Sequence, residues 1–293
     1  MSIGFVVLHY QTIDDTKACI KSIVDKIDTD DYIITIVDNG SPNKTGSLLQ
    51  NEFAGEKKIK VIINDKNLGF AKGLNSGIEY LRKLRDFDFI ALVNNDTEII
   101  GNNWYSKIVE KYNEYKFHIL GPDIISLDGE NHSNPVERQL NNIEDLNKLI
   151  KYKKRMLLSN YLFIDSTIRF IKEYIKKTIN YKSRIQKKIP HDVIDVQLQG
   201  SCFILSKLFF EKRNGLYSNT FLYFEEAILR YFADVDNMKM MYTPDIVILH
   251  KEGGSTNYDY KNIRSRRIFY LKHSLNSCLE LKKIMSSSRN EGL

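Results

Sequence analysis

The 293-residue chain is 42% hydrophobic and 27% charged, the balance of a globular protein large enough to bury one main core plus a smaller appendage. Five prolines and fifteen glycines exclude a long disordered linker, and no apolar run reaches the roughly 20 residues of a membrane-spanning helix; Ser201 to Phe210 comes closest and is broken by Lys207. Cys19, Cys202 and Cys278 are odd in number and far apart, which excludes a disulfide framework or a thiolate metal site. With a start that lacks a basic leader, they point to a reducing, cytosolic setting.

In chain order, Ile3 to Leu8 reads as a buried strand, Thr16 to Ile27 as a helix, and Tyr32 to Val37 as a second strand ending in Asp38-Asn39-Gly40-Ser41. Leu48 to Phe53 reads as a short helix and Lys60 to Ile63 as a third strand. The loop Asn67-Leu68-Gly69-Phe70 leads into a helix from Ala71 to about Leu84, and Phe87 to Val93 forms a fourth strand. This rhythm predicts an α/β fold, a mostly parallel sheet flanked by helices with right-handed crossovers. From Leu120 the rhythm degrades. The stretch from Arg138 to Lys188 reads as a helical insertion, the sheet resumes at Val196–Leu205 and Met240–Leu249, and a basic helix runs from about Asn262 to Ile284. Three units follow: residues 1–137, an insertion at 138–190, and residues 191–293.

The overall charge of +6 is unevenly spread. Between Lys148 and Lys188 thirteen Lys or Arg face only Asp165 and Glu173, a local net of +11 that leaves the rest of the chain at −5. A generally basic, nucleic-acid-type surface is therefore excluded. Within the insertion Leu157, Tyr161, Ile164, Ile168, Ile171 and Ile175 recur at steps of three and four, with Arg169, Lys172 and Lys176 beside them. Such a helix suits an anionic membrane surface; the plain alternatives are packing on the main domain or a subunit interface in a homo-oligomer.

Tyr10, Asp38, Asn67 and Asp96 each follow a strand. Parallel strand ends share one edge, where open α/β sheets bind ligands. Asp96, delivered by the run Phe87–Val93, is placed to hold a hard cation through oxygen, or else to cap a turn or helix. Asp38 either meets a ligand or closes an Asx turn. Glu225 and Glu226 are candidates for a general base, against the plainer role of acids at a helix N-terminus. His250 is either a hydrogen-bonded structural residue or a ligand-side group.

Seven motifs in order carry a resemblance: FVVLHYQT at the start, VDNGS at 37–41, NLGFAKGLNSG at 67–77, LVNND at 92–96, GSCFILSK at 200–207, FLYFEEAIL at 221–229 and LHKEGGST at 249–256. The chain resembles the inverting family 2 glycosyltransferases of GT-A fold, particularly the rhamnosyltransferase-like group that assembles bacterial capsule and O-antigen polysaccharides. The resemblance implies transfer from a UDP- or dTDP-sugar to a growing, lipid-linked glycan, with the protein cytoplasmic or peripheral on the inner membrane face. It implies Leu8, Tyr10, Asp38, Asn67, Gly69, Lys72, Asn75 and Asn95 as the nucleotide-sugar site, Asp38 meeting the imide N–H of the base. Gly69 and Gly73 would let the backbone approach the ligand, and Lys72 would neutralise phosphate.

Asp96, Asn94 and His250 stand where the family holds a divalent metal, Mg²⁺ or Mn²⁺, with Asn94 in place of the usual first Asp. Glu226 occupies the place of the general base and Glu225 that of its partner, while the usual downstream Asp is replaced by Ile228. Two rivals remain at this stage: a nucleotide-sugar-binding protein impaired in catalysis, supported by Asn94 and Ile228, and an RNA-binding module using the insertion, which lacks an RNP-type aromatic pattern.

Overall fold

In the computed structural model, the residues described are 1–137, 142–162, 185–251 and 262–290. Continuous apolar runs make the strands β1 (Ile3–His9), β2 (Tyr32–Asp38), β3 (Ile59–Ile63) and β4 (Phe89–Asn94). Between them lie the helices α1 (Ile13–Lys26), α2 (Thr45–Glu52) and α3 (Phe70–Leu84). These elements match the alternation expected from the sequence, and the pairings of these four strands with one another are all parallel. Beyond them come β5 (Thr97–Ile100), α4 (Trp104–Tyr115), β6 (Ile119–Ser126) and α5 (Ile143–Tyr161). The chain continues through β7 (Val193–Ile194), β8 (Cys202–Ser206), α6 (Lys207–Lys212), α7 (Glu225–Val235), β9 (Met240–His250) and α8 (Ile263–Asn290).

One sheet gathers these strands in the order β3-β2-β1-β4-β8-β6-β9-β5, with β7 on β9. The second half is mixed: β8 runs antiparallel to β4 and β6, whereas β6 and β9 pair in parallel. Sequence periodicity is silent over residues 97–119 for physical reasons. β5 is four residues long, and α4 buries Lys111, whose ammonium sits 2.7 Å from both Asp192 and Asp245 and breaks the apolar stripe. β6 contains Pro122, at which its register with β9 shifts. The strand expected from Val196 begins only at Cys202.

Successive strand residues point to opposite faces, so the sheet is covered twice. Phe5, Ile34 and Phe89 pack with Cys19 and Ile23 of α1, Leu49 of α2, and Trp104 and Ile108 of α4. On the other face Val6, Ile90 and Phe203 meet Leu74, Ile78 and Leu81 of α3, Phe209 of α6, and Leu229 and Ala233 of α7.

A third cluster lies off the sheet, where Leu146 and Ile150 of α5 join Ala227 and Ile228 of α7 and Leu275, Cys278 and Leu281 of α8. The described part of the insertion thus packs on the main domain, with Leu157 against that cluster and Tyr161 exposed. Ile164, Ile168, Ile171 and Ile175, with Arg169, Lys172 and Lys176, lie outside the described residues. Arg264 of α8 donates from Nε to the Asn160 carbonyl at 3.0 Å and so satisfies the C-terminal end of α5. Ile228, where the resemblance leads one to look for an acid, is an apolar wedge of this third core.

Because Leu146 is fully buried in that small cluster, Leu146→Ala should cost about 2–5 kcal/mol in urea unfolding. A loss below about 1 kcal/mol would show that α5 is only loosely attached.

Candidate active site

The register of the parallel strands decides which side chains share space. His9 stands opposite Asp38 and Leu8 opposite Asn94, so β1, β2 and β4 finish side by side. The antiparallel β8 begins at that same edge: the Asn94 N–H donates to the Ser201 carbonyl at 2.9 Å. β9 brings in His250, opposite Thr97 of β5. The result is a cleft of about 500 Å³ that opens on this edge.

Of the residues expected at a nucleotide site, Leu8, Tyr10, Asn67, Gly69 and Asn95 line the cleft. Asp38, Lys72 and Asn75 are not in its wall. The Asp38 carboxylate is buried, accepts hydrogen bonds from the backbone N–H and hydroxyl of Ser41, and lies 4.0 Å from His9, the geometry of a strand-ending turn. His9 is itself buried between the hydroxyls of Thr16 and Thr45; burial outweighs the pull of Asp38 and holds its pKa down at about 4, so it is neutral at pH 7. Lys72 is exposed on α3. Asn75 spends its amide on both backbone groups of Leu216, at 2.8 Å each, which ties α3 to the loop after α6.

Asn39, not singled out from sequence, is the hub of this half. Its side chain donates to Asn67 Oδ1 and the Gly69 carbonyl and accepts from Asn64 and the Leu68 N–H, fixing the 64–69 loop at the cleft wall. Gly69 has a φ of +87°, and a Cβ there would lie 2.2 Å from the Phe221 carbonyl oxygen. Its need for glycine is therefore met by close approach to protein backbone; at Gly73 likewise a Cβ would meet Leu8, where the sequence pointed to a ligand.

Asp96 and His250 face each other, Asp96 Oδ1 lying 3.4 Å from His250 Nε2, both nearly buried. His250 Nδ1 is buried without a hydrogen-bond partner among the described residues, and Asn94 lines the cleft beside the pair. Asn95 is directed inward, its amide donating to Thr12 and Thr16 at the start of α1. No group of three or more His, Cys, Asp or Glu residues suited to a metal occurs among the described residues. The Asp96 carboxylate and the His250 Nε2 that faces it, with the Asn94 amide beside them, are oxygen and nitrogen donors of the kind that would suit a divalent ion.

Across the cleft stands the acid pair, in the first turn of α7. Tyr223 and Phe224, immediately before it, both have left-handed backbone, at φ +70° and +75°, a conformation that costs an aromatic residue on the order of 1–3 kcal/mol. Glu225 is buried with Oε1 unpartnered; burial, reinforced by the charge of Glu226, pushes its pKa up to about 8. Glu226 is half-buried and abuts Gly200, where a Cβ would sit 2.6 Å from its Oε1; burial raises its pKa too. Phe221, Leu222, Tyr223 and Phe269 complete an apolar wall over the acids. The FLYF run signalled three of these aromatic and aliphatic positions; Phe269, on the basic C-terminal helix, carried no sequence signal.

A folded-state pKa of about 8 against an ordinary 4.5 means that the folded chain binds this proton more tightly than the unfolded one. The stabilisation is complete below the ordinary value and is lost as pH rises through that window. Glu225→Gln should therefore raise Tm relative to wild type increasingly between about pH 5 and pH 8, with little difference near pH 4. A Tm difference independent of pH would show that the carboxyl is not held protonated.

Residues 5–179 match the family model for glycosyl transferase family 2. No curated protein matches the chain. Among solved structures, S. aureus TarS 1–349 in complex with UDP aligns with a TM-score of 0.55 at 11% identity, over 92% of this chain and 65% of that one. GalNAc-T7 with UDP, GalNAc and Mn²⁺ aligns with a TM-score of 0.54 at 12% identity, over 87% of this chain and 45% of that one. A second S. aureus TarS structure gives 0.54 at 11%, over 86% and 37%. Identities this low speak for a shared fold, and this chain spans between 37% and 65% of the length of those three. With the family model matching more than half of this chain and a helix-flanked mixed sheet of the same architecture, the chain belongs to glycosyl transferase family 2.

Proposed function

We propose that the protein transfers a sugar from a nucleoside-diphosphate donor to an acceptor hydroxyl, inverting the anomeric centre. The observation that carries this reading is one cleft walled on one side by the polar strand ends and on the other by a buried acid pair. In this reading the donor lies along Leu8, Tyr10, Asn39 and Asn67, and its diphosphate reaches Asp96. A uracil base is favoured because the TarS and GalNAc-T7 structures hold UDP.

The acceptor enters beneath Phe221, Tyr223 and Phe269. Glu226 takes the hydroxyl proton as the oxygen attacks the anomeric carbon; the bond from that carbon to the diphosphate oxygen breaks on the opposite face, and the nucleoside diphosphate leaves. Glu226 is the better base of the two because its side chain keeps partial access to the cleft, whereas Glu225 is buried in the cleft wall with its Oε1 unpartnered. Its raised pKa makes it a stronger proton acceptor than an ordinary carboxylate.

Asp96, His250 and Asn94 would hold a divalent cation, which when bound neutralises charge on the leaving diphosphate. The acceptor in this reading is a surface glycan carried on lipid at the inner membrane face, suited by the exposed cations Lys151, Lys154 and Arg155 of α5. Indifference of the protein to anionic vesicles at low salt would remove the membrane from it.

Glu226→Gln should lower kcat by about 10²–10⁴ while leaving donor Kd unchanged, because it deletes a base and conserves its shape. Glu225→Gln should be milder, and a reversed order would make Glu225 the base. Asp96→Ala should abolish the gain in donor affinity on adding Mn²⁺ or Mg²⁺, read by calorimetry with UDP. Wild-type affinity that is equal with and without metal would end the metal assignment.

A further inference from the structure

Lys153, on the inward face of α5, is 4% exposed, yet it makes no ion pair with a carboxylate among the described residues. The Cys278 thiol beside it is pushed up to about 12 by burial and so supplies no counter-charge. The ammonium lies instead over two aromatic faces, 5.2 Å from the ring centre of Phe224 and 4.9 Å from that of Tyr270, with the Tyr270 hydroxyl at 3.5 Å. Tyr270 in turn packs edge-on against Tyr223 at 4.8 Å.

An interior ammonium is costly to bury, and its attraction to ring faces strengthens as water is removed. It is thus held only where both rings stay turned toward it. Those rings belong to, or touch, the two consecutive left-handed residues from which the acid pair is launched. Left-handed aromatic backbone persists only when its surroundings over-determine it. Other contacts pin the same segment: the Ser277 hydroxyl on the Leu222 carbonyl, the Phe70 N–H on the Phe221 carbonyl, the Tyr223 N–H on the Glu225 carboxyl and the Phe224 ring against the third cluster. The Lys153 ammonium acts beside them on the Phe224 and Tyr270 rings.

We infer that Lys153 is a positioning residue for the acid pair: through Phe224 and Tyr270 it clamps the Tyr223–Phe224 turn, so that the insertion helix α5 sets the orientation of Glu225 and Glu226 in the cleft. This rests on the glycosyl-transfer reading only for its catalytic consequence. The donor half of the cleft, built on β1, β2 and β4, does not depend on Lys153.

The test uses the full chain with Lys153→Met, which keeps the length and apolar stem, and Lys153→Arg, which keeps the charge over the rings. Amide exchange followed by mass spectrometry should be at least about tenfold faster over residues 223–230 in Lys153→Met, where the Ile228 N–H bonds the Phe224 carbonyl, and unchanged over β1 to β4. With a nucleoside-diphosphate sugar that the wild type turns over, Lys153→Met should lose at least about tenfold in kcat with the donor KM held within about twofold, and Lys153→Arg should recover most of it.

Exchange over 223–230 that matches wild type in a folded Lys153→Met protein would overturn the inference. So would a fall in donor affinity parallel to that in kcat, or accelerated exchange spread evenly over the chain. If the turn loosens as described but the wild type transfers no sugar, the clamp stands and the glycosyl-transfer reading falls.

Discussion

The hydrogen bond from the Asn94 N–H to the Ser201 carbonyl joins two halves of the sheet that obey different rules. To one side β1, β2 and β4 run in parallel, and parallel pairing aligns their carboxyl ends without further help. To the other side β8 runs antiparallel, so its beginning, not its end, arrives at the same edge. Had β8 been parallel, Gly200 and Ser201 would lie at the far side of the sheet, and Glu226 would have no backbone to rest against. Everything opposite the strand ends depends on this reversal.

The two sides of the cleft are built on contrasting physical terms. The strand-end side is satisfied: Asn39, Asn67 and Asn95 have their amides bonded to backbone and side chains, so this wall is preorganised. The acid side stores unfavourable energy, in two left-handed aromatic residues, a buried carboxyl pair with raised pKa values and an orphaned Glu225 oxygen. Strain and desolvation of this kind survive only in a frame that is stable elsewhere, and they gather where chemistry is performed. The frame here is the third apolar cluster, in which α7 is wedged between α5 and α8.

That arrangement gives the insertion a second meaning. Its charge suggested an appendage facing solvent or lipid, yet α5 sends Leu146, Ile150 and Lys153 inward against the helix that carries the acids. Ile228 fits the same account. A position where an acid was looked for holds an apolar side chain because it faces α5 and α8, and an acid there would be buried beside Leu146 and Leu281.

Much of the first half was legible from sequence because its determinants are local. Strand runs such as Phe5–Val7 and the period of α3 encode their own burial, and parallel topology then brings Tyr10, Asn67 and Asp96 to one edge. The acid pair was legible as a pair, at a helix start behind an aromatic run. Other features were decided only in the folded chain. The inward turn of Asp38 depends on Ser41 and His9 closing around it, and the engagement of Asn75 depends on Leu216, far away in sequence. Phe269, the Asp96–His250 approach and the place of Lys153 among aromatic rings arise from β9, α5 and α8 packing against elements far away in sequence. A sequence fixes period and polarity along one element, whereas a neighbour across the fold fixes direction; the site needed both.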